Sequence, residues 1–221
     1  MRRLGMIALA VFGLVIWAGA VFGQEVRAGE KISFYEVPLE CGAAADLGCG
    51  SRAKPALLEM EQNPAIKEAW LNRTGTVYAV VWRGKAETKK AAGPVFKKHS
   101  IEFKELGGKE KALQMESFRR EGKWYRGASV DQLSLEEAEI LGKKVVNMLL
   151  PGGHISEAEA AAIGAGVTAY FKEELVKIRT YEELCRDNET KFQQAIIGIV
   201  EKQVGKERTE KIVELFGNQV E

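Results

Sequence analysis

The chain has 221 residues, of which 46% are apolar and 29% charged, with five prolines and three cysteines. These proportions exclude a disordered, collagen-like or disulfide-dense protein and fit one or two ordinary globular domains. The formal net charge is +1, so the charge balance gives no footing for nucleic acid, which is not expected as a partner.

Met1-Arg2-Arg3 opens the chain, and an uncharged apolar run follows from Leu4 to Phe22. A short basic start before such a run reads as a secretory signal over residues 1–23, cut after Gly23 or after Ala20. Retained, a run of about 19 residues would instead serve as a membrane anchor. The remainder is expected to be exported, periplasmic or secreted, with the membrane a partner only if the segment is kept. Removing residues 1–23 takes away two positive charges and leaves −1. Residues 24–127 carry 19 Lys and Arg against 14 Asp and Glu, and residues 128–221 carry 11 against 17. This asymmetry describes either two units that attract one another or two ordinary solvated surfaces.

Ile32 to Leu39 reads as a strand closed by Pro38, and a Gly-rich stretch with Cys41 and Cys49 follows it. Ala53, Ala56, Leu57 and Met60 have the spacing of a helix face that stops before Asn63-Pro64. Ile66 to Leu71 and the β-branched, aromatic run Thr76 to Trp82 make a hairpin around the turn Asn72-Arg73-Thr74-Gly75. A second helix is predicted over residues 87–98, and a last strand over residues 100–106. The order is β-α-β-β-α-β, a ferredoxin-like split unit over residues 31–106.

Residues 107–133 read as a charged connector holding Trp124 and Tyr125. Beyond it, over residues 134–221, the pattern is helical. Ser134 and Glu137, Ser156 and Glu159, and Thr180 and Glu183 each have the capping-box spacing that starts a helix. Apolar spacing through Ala138, Leu141, Val145, Ile163, Val167, Phe171, Ile196 and Val200 supports a small bundle. The fold class expected is therefore α+β, a ferredoxin-like domain followed by an all-helical one.

The cysteines carry the chemistry. A thiol that leaves the reducing cytosol must be paired, ligated or shielded. Cys49 is placed at the start of the first helix, beside free backbone N–H groups, with Arg52 and Lys54 nearby, surroundings that lower a thiol pKa. Cys41 lies seven intervening residues away in a Gly- and Ala-rich loop that folds back at modest entropic cost. The pair is open to three fates: an inert disulfide, a soft-metal site, or a redox-active couple. Cys185 reads as a buried small hydrophobe, or as a residue for intermolecular pairing or metal binding.

These residues resemble the heavy-metal-associated domain of copper chaperones, P-type ATPase metal-binding modules and the periplasmic mercury-binding protein. With Cys49 on that family's second cysteine, Ala53, Ala56, Leu57 and Met60 fall on its apolar positions, over about residues 31–106. Asp46 stands where the family has its first cysteine, and Cys41 is displaced. The resemblance implies Cys41 and Cys49 as ligands, supported by Arg52 and Lys54, of Cu(I), Hg(II) or Zn(II).

The paired acids Glu136-Glu137, Glu173-Glu174 and Glu182-Glu183 are expected on solvated helix faces. His99 and His154 have no ligand spacing to a cysteine or carboxylate and read as surface or capping residues. Trp124 and Tyr125 are expected at the joint between the halves, and Asn72 and Asn188 begin glycosylation sequons. No catalytic motif is present, and thiol–disulfide exchange is the least remote enzymatic activity. The function expected is an exported, non-enzymatic binding or sensing protein acting through Cys41 and Cys49. The alternative is a structural module with an inert Cys41–Cys49 disulfide, docking another envelope protein.

Overall fold

The computed structural model describes residues 30–42, 44–84, 89–120, 123–151, 153–180, 182–183 and 188–217. The signal segment expected over residues 1–23, and Cys185, lie outside the described residues. Among those described, no helix is long and apolar enough to cross a membrane.

The architecture is mixed α+β. Strand β1 (Ile32–Glu36) leads into a small two-stranded hairpin of β2 (Glu40–Cys41) and β3 (Ala44–Gly48), and then into helix α1 (Gly50–Gln62). Strands β4 (Ile66–Asn72) and β5 (Val77–Trp82), helix α2 (Lys89–Lys98) and the short strand β6 (Lys104–Glu105) follow. Helix α3 (Gly108–Arg120) and strand β7 (Trp124–Tyr125) come next. The last part is helical: α4 (Asp131–Leu149), α5 (Glu157–Leu175), α6 (Asn188–Val204) and α7 (Lys206–Gly217).

The main sheet is antiparallel, in the order β6-β1-β5-β4-β7. Every residue of its central strand β5 is buried, because both faces of the sheet are covered. Tyr35, Tyr78, Val80 and Trp82 face Ala53, Leu57 and Met60 of α1 and Ala92 and Phe96 of α2. Alternation sends Ile32, Phe34, Val77, Ala79 and Val81 to the other face, where Phe118 of α3 and Trp124 close over them. Phe118 meets Trp124 edge-on with ring centroids 5.0 Å apart.

Within the charged connector expected over residues 107–133, residues 108–120 form helix α3, which the sequence reading did not assign. Its polar sequence hides the one buried anchor, Phe118, which becomes informative only when a sheet face is there to receive it. The strand expected over residues 100–106 is also shorter. Only Lys104 and Glu105 pair with β1, while Ile101 and Phe103 turn into the α2 core. Trp124 and Tyr125 join the sheet beside Asn72 and Leu71 and bury on its two opposite faces.

The capping-box expectation divides. Ser156 accepts from the Glu159 amide, and the Glu159 carboxylate accepts from the Ser156 amide, so α5 starts as expected. Thr180 and Glu183 make the same reciprocal pair. Helix α4, however, starts at Asp131, three residues before Ser134, which is fully buried inside its first turns. Ser134 and Glu137 are therefore released from capping. Helices α4 and α5 lie against each other at Gly142, where an added Cβ would stand 2.8 Å from the Gly164 carbonyl oxygen.

The β2–β3 hairpin is laid directly on the β4–β5 turn. Leu39 N–H donates to the Gly75 carbonyl at 3.0 Å, and Gly48 N–H donates to the Arg73 carbonyl at 2.6 Å. A Cβ on Gly48 would stand 2.7 Å from Gly75 Cα, and one on Gly75 would fall on the Leu39 carbonyl. Asn72 holds the turn from inside: its Oδ1 accepts from the amides of Thr76 and Val77, each at 2.9 Å, and its Nδ2 donates to the hydroxyls of Thr74 and Thr76. That engages the amide a glycan would need. Gly75 has φ +73°, so Gly75→Ala adds about 1–2 kcal/mol for the left-handed backbone alone, plus the backbone clash. Chemical denaturation should show a loss above that figure, with the hairpin amides losing hydrogen-exchange protection first; an unchanged midpoint would mean that the hairpin does not rest on this turn.

Candidate functional site

The two described cysteines flank strand β3: Cys41 ends β2, and Cys49 follows β3 directly, at the start of α1. Leu39 and Cys41 point inward and Glu40 points out, by strand alternation. The Cys49 amide donates to the Leu39 carbonyl at 2.8 Å, which sets Cys49 opposite Leu39 and leaves Cys41 two residues further along the same inward side. In a regular ladder such a diagonal relation separates Cα atoms by about 7–8 Å. Here the register shifts between Glu40 and Cys41. Cys41 is buried and Cys49 half-buried.

Cys49 is the N-cap of α1, as its sequence context indicated, and its carbonyl accepts from the Ala53 amide at 3.1 Å. Its thiol nevertheless has a raised pKa, not the lowered one expected of a helix start. Burial is the largest cause and the negative charge of Glu137 the next; the Ser51 hydroxyl at 3.4 Å, the Arg52 amide and the Arg52 charge oppose them with smaller effect. Desolvation disfavours a thiolate more than a helix terminus favours it when the sulfur lies under a neighbouring element. The Arg52 guanidinium reaches the Pro38 carbonyl at 3.5 Å on the surface. Lys54 turns the other way: its buried ammonium pairs with Asp131 of α4 and donates to the Val176 carbonyl at 3.4 Å.

The residue that completes the site is Glu137. It comes from α4; interaction with the Cys41 side chain lowers its carboxyl pKa against the effect of burial, and its charge raises the pKa of Cys49. Its Oε2 is sealed from solvent and has no hydrogen-bond partner among the described residues, and the buried Ser134 hydroxyl one turn earlier has none either. Burial holds the Glu137 carboxyl above the usual carboxylate range, and the interaction with Cys41 only partly opposes this. Placing Glu137 on a solvated helix face was therefore incorrect. Glu137 falls on the stripe Val130, Leu133, Ser134, Ala138, Leu141 and Val145 that α4 turns inward, and a carboxylate on an apolar stripe is the signal that could have found it. The other paired acids lie outside: Glu136 pairs with Arg73 at 2.6 Å, Glu173 and Glu174 pair with Lys177, and Glu182 is exposed.

The joint between the sheet and α4 is thus crossed by the Lys54–Asp131 and Arg73–Glu136 ion pairs, by Lys144 donating to the Gly42 carbonyl at 3.4 Å, and by the electrostatic influence of Cys41 on Glu137. Gly50 lets α1 approach α4 at this point; a Cβ there would stand 2.7 Å from the Val130 carbonyl oxygen. His99 is buried and its Nε2 meets Glu59 at 2.8 Å, so it ties α2 to α1 far from the sulfurs. Among the described residues no group of three or more His, Cys, Asp or Glu side chains is arranged to hold a metal ion.

No protein-family model, no curated protein and no solved structure matches this chain. The chemistry must therefore be read from two thiols and a carboxyl at the joint.

Because Glu137 holds its proton more tightly folded than unfolded, its contribution to stability is fullest below the unfolded carboxyl midpoint and declines as pH rises through the folded one. Glu137→Gln keeps the neutral shape. The difference in unfolding free energy between variant and wild type should be near zero around pH 4 and grow in favour of the variant toward neutral pH. Urea titrations at several pH values check this, and a constant difference would place Glu137 in water.

Proposed function

We propose that this chain is an exported, non-enzymatic sensing protein that switches redox state at Cys41 and Cys49. The observation that carries the reading is the convergence of both thiols on Glu137, a residue of the helical part. Conversion of the two thiols to a disulfide takes Cys41 away from the carboxyl that ties the hairpin to α4, so a chemical event at sulfur acts on the contact between sheet and bundle. The interaction of Cys41 with Glu137 stabilises the dithiol form, and whatever stabilises the reduced form makes the disulfide easier to reduce. The alternative of an inert staple needs the opposite balance.

We also infer that the order of β6, β1, β5 and β4, the fourth, first, third and second strands of a β-α-β-β-α-β unit, is the ferredoxin-like arrangement. The resemblance to heavy-metal-associated domains supports a second reading, in which the two sulfurs bind a soft ion. A two-coordinate thiophilic ion such as Cu(I) or Hg(II) suits a site with two thiols better than Zn(II), whose protein sites use three or four ligands. A coordinating thiol loses its proton outright, so the raised Cys49 pKa lowers such affinity without abolishing it.

Equilibration in thiol–disulfide buffers, read by peptide mapping, should show one two-electron couple joining Cys41 to Cys49. Its potential should lie above about −300 mV, the level below which structural disulfides sit. A lower potential would assign the pair to the inert staple. One-to-one Cu(I) uptake by reduced protein, lost in Cys49→Ser, together with no Cys41–Cys49 disulfide at any buffer potential, would assign it to soft-metal binding.

A further inference from the structure

We propose that the pocket between the β2–β3 hairpin, the β4–β5 turn, α3 and β7 binds a small apolar α-amino acid as its zwitterion, with Asp46 taking the ammonium group and Lys123 and Ser117 taking the carboxylate. This site is separate from the redox reading above and draws on neither sulfur.

The pocket has a volume of about 230 Å³. Sites for drug-sized ligands and cofactors run from about 300 to 1,000 Å³. At about 30 Å³ for each water molecule, this space takes about seven or eight groups of that size. That excludes nucleotides and flavins and admits an amino acid.

Most of the wall is already committed. Arg73 fastens two sides through its main chain: its N–H donates to the Lys123 carbonyl at 2.9 Å, and its carbonyl accepts from the Gly48 amide at the end of β3. The Asn72 side chain is engaged by Thr74, Thr76 and Val77, the Thr74 hydroxyl by Asn72 and Thr76, and the Arg73 guanidinium by Glu136. Trp124 supplies an apolar wall, with its ring held edge-on by Phe34 and Phe118 at centroid distances of 6.1 and 5.0 Å. These groups shape the pocket without having to move on binding, which keeps the ordering cost of a ligand low.

Three lining side chains remain. Asp46 and Lys123 are exposed and Ser117 is half-buried, and none of the three side chains makes a hydrogen bond or ion pair among the described residues. Alternation along β3 sends Leu47 into the core and leaves Asp46 outside. One pocket therefore holds an unpaired anion, an unpaired cation and a hydroxyl. A ligand with a single negative charge would face Asp46, and one with a single positive charge would face Lys123; like charges brought together oppose binding. A molecule that carries both charges a few bonds apart answers both. The Ser117 hydroxyl gives its carboxylate a second donor, and the Trp124 ring favours an apolar side chain over a polar one.

Titration of the whole chain with L-valine, followed by calorimetry and by backbone amide shifts, tests the site. One-to-one binding with a Kd of about 1 mM or tighter is expected, with the shifts centred on residues 46, 117 and 123. Isobutyrate and isobutylamine carry one charge each and should bind about tenfold or more weakly than valine. Asp46→Asn and Lys123→Gln alter exposed side chains and should leave the thermal midpoint unchanged. Each should weaken valine about tenfold, the low end for a lost hydrogen bond to a charged group. Asp46→Asn should do so without weakening isobutyrate, and Lys123→Gln without weakening isobutylamine. No one-to-one binding, shifts centred elsewhere, or isobutyrate bound as tightly as valine would overturn the proposal. So would variants that lose all three ligands alike, because the two charges would then shape the pocket and not read the zwitterion.

Discussion

A carboxylate on the inward stripe of a helix has to be met by something, because leaving it unpaired under packed apolar groups costs several kcal/mol. Glu137 sits on that stripe of α4, and what meets it is the Cys41 thiol. The rest of the joint is arranged around this contact. Gly50 lets α1 come close to α4, and Ser134 is buried between them. The Lys54–Asp131 and Arg73–Glu136 pairs hold the two surfaces together on either side. The excess of basic residues before residue 128 and of acidic residues after it is thereby partly spent on bringing the halves together.

For the sulfurs to reach α4, the hairpin bearing them must be rigid. Its rigidity comes from backbone lying on backbone. Gly48 and Gly75 leave no Cβ between the hairpin and the β4–β5 turn, and three main-chain hydrogen bonds, from Val37, Leu39 and Gly48, lock the approach. Asn72 then fixes the turn from within through four side-chain hydrogen bonds. A residue that reads as a glycosylation acceptor is thus a structural clamp. The chain of constraint runs from Asn72 through the two glycines to Leu39, and from Leu39 to Cys41 and Cys49.

The strands β4 and β5 and the helix α1 were legible in the sequence because each satisfies its own period over a full element: β-branched alternation from Val77 to Trp82, and three-and-four spacing from Ala53 to Met60. Helix α3 was not, since only Phe118 is buried and its value depends on Phe34, Trp70 and Trp124 meeting it across the sheet. The placement of Cys49 at a helix mouth followed from local sequence. Its raised pKa did not, because its causes, burial first and then the charge of Glu137 88 positions away, come from tertiary packing. Ser134 and Glu137 misled for a related reason: the hydroxyl-and-carboxylate spacing of a capping box is also the spacing of two residues on one face of a helix. Only the start of α4 at Asp131 separates the two meanings.

The union of hairpin and α4 through Cys41 and Glu137 can be measured without reference to any reaction. A double-mutant cycle on unfolding free energy, using reduced wild type, Cys41→Ala, Glu137→Gln and the double variant, isolates the pairwise contribution. Direct contact in a buried site should give a coupling of about 1 kcal/mol or more. Additivity within about 0.5 kcal/mol would mean that the thiol and the carboxyl do not meet, and the joint would then have no chemical link to the sulfurs.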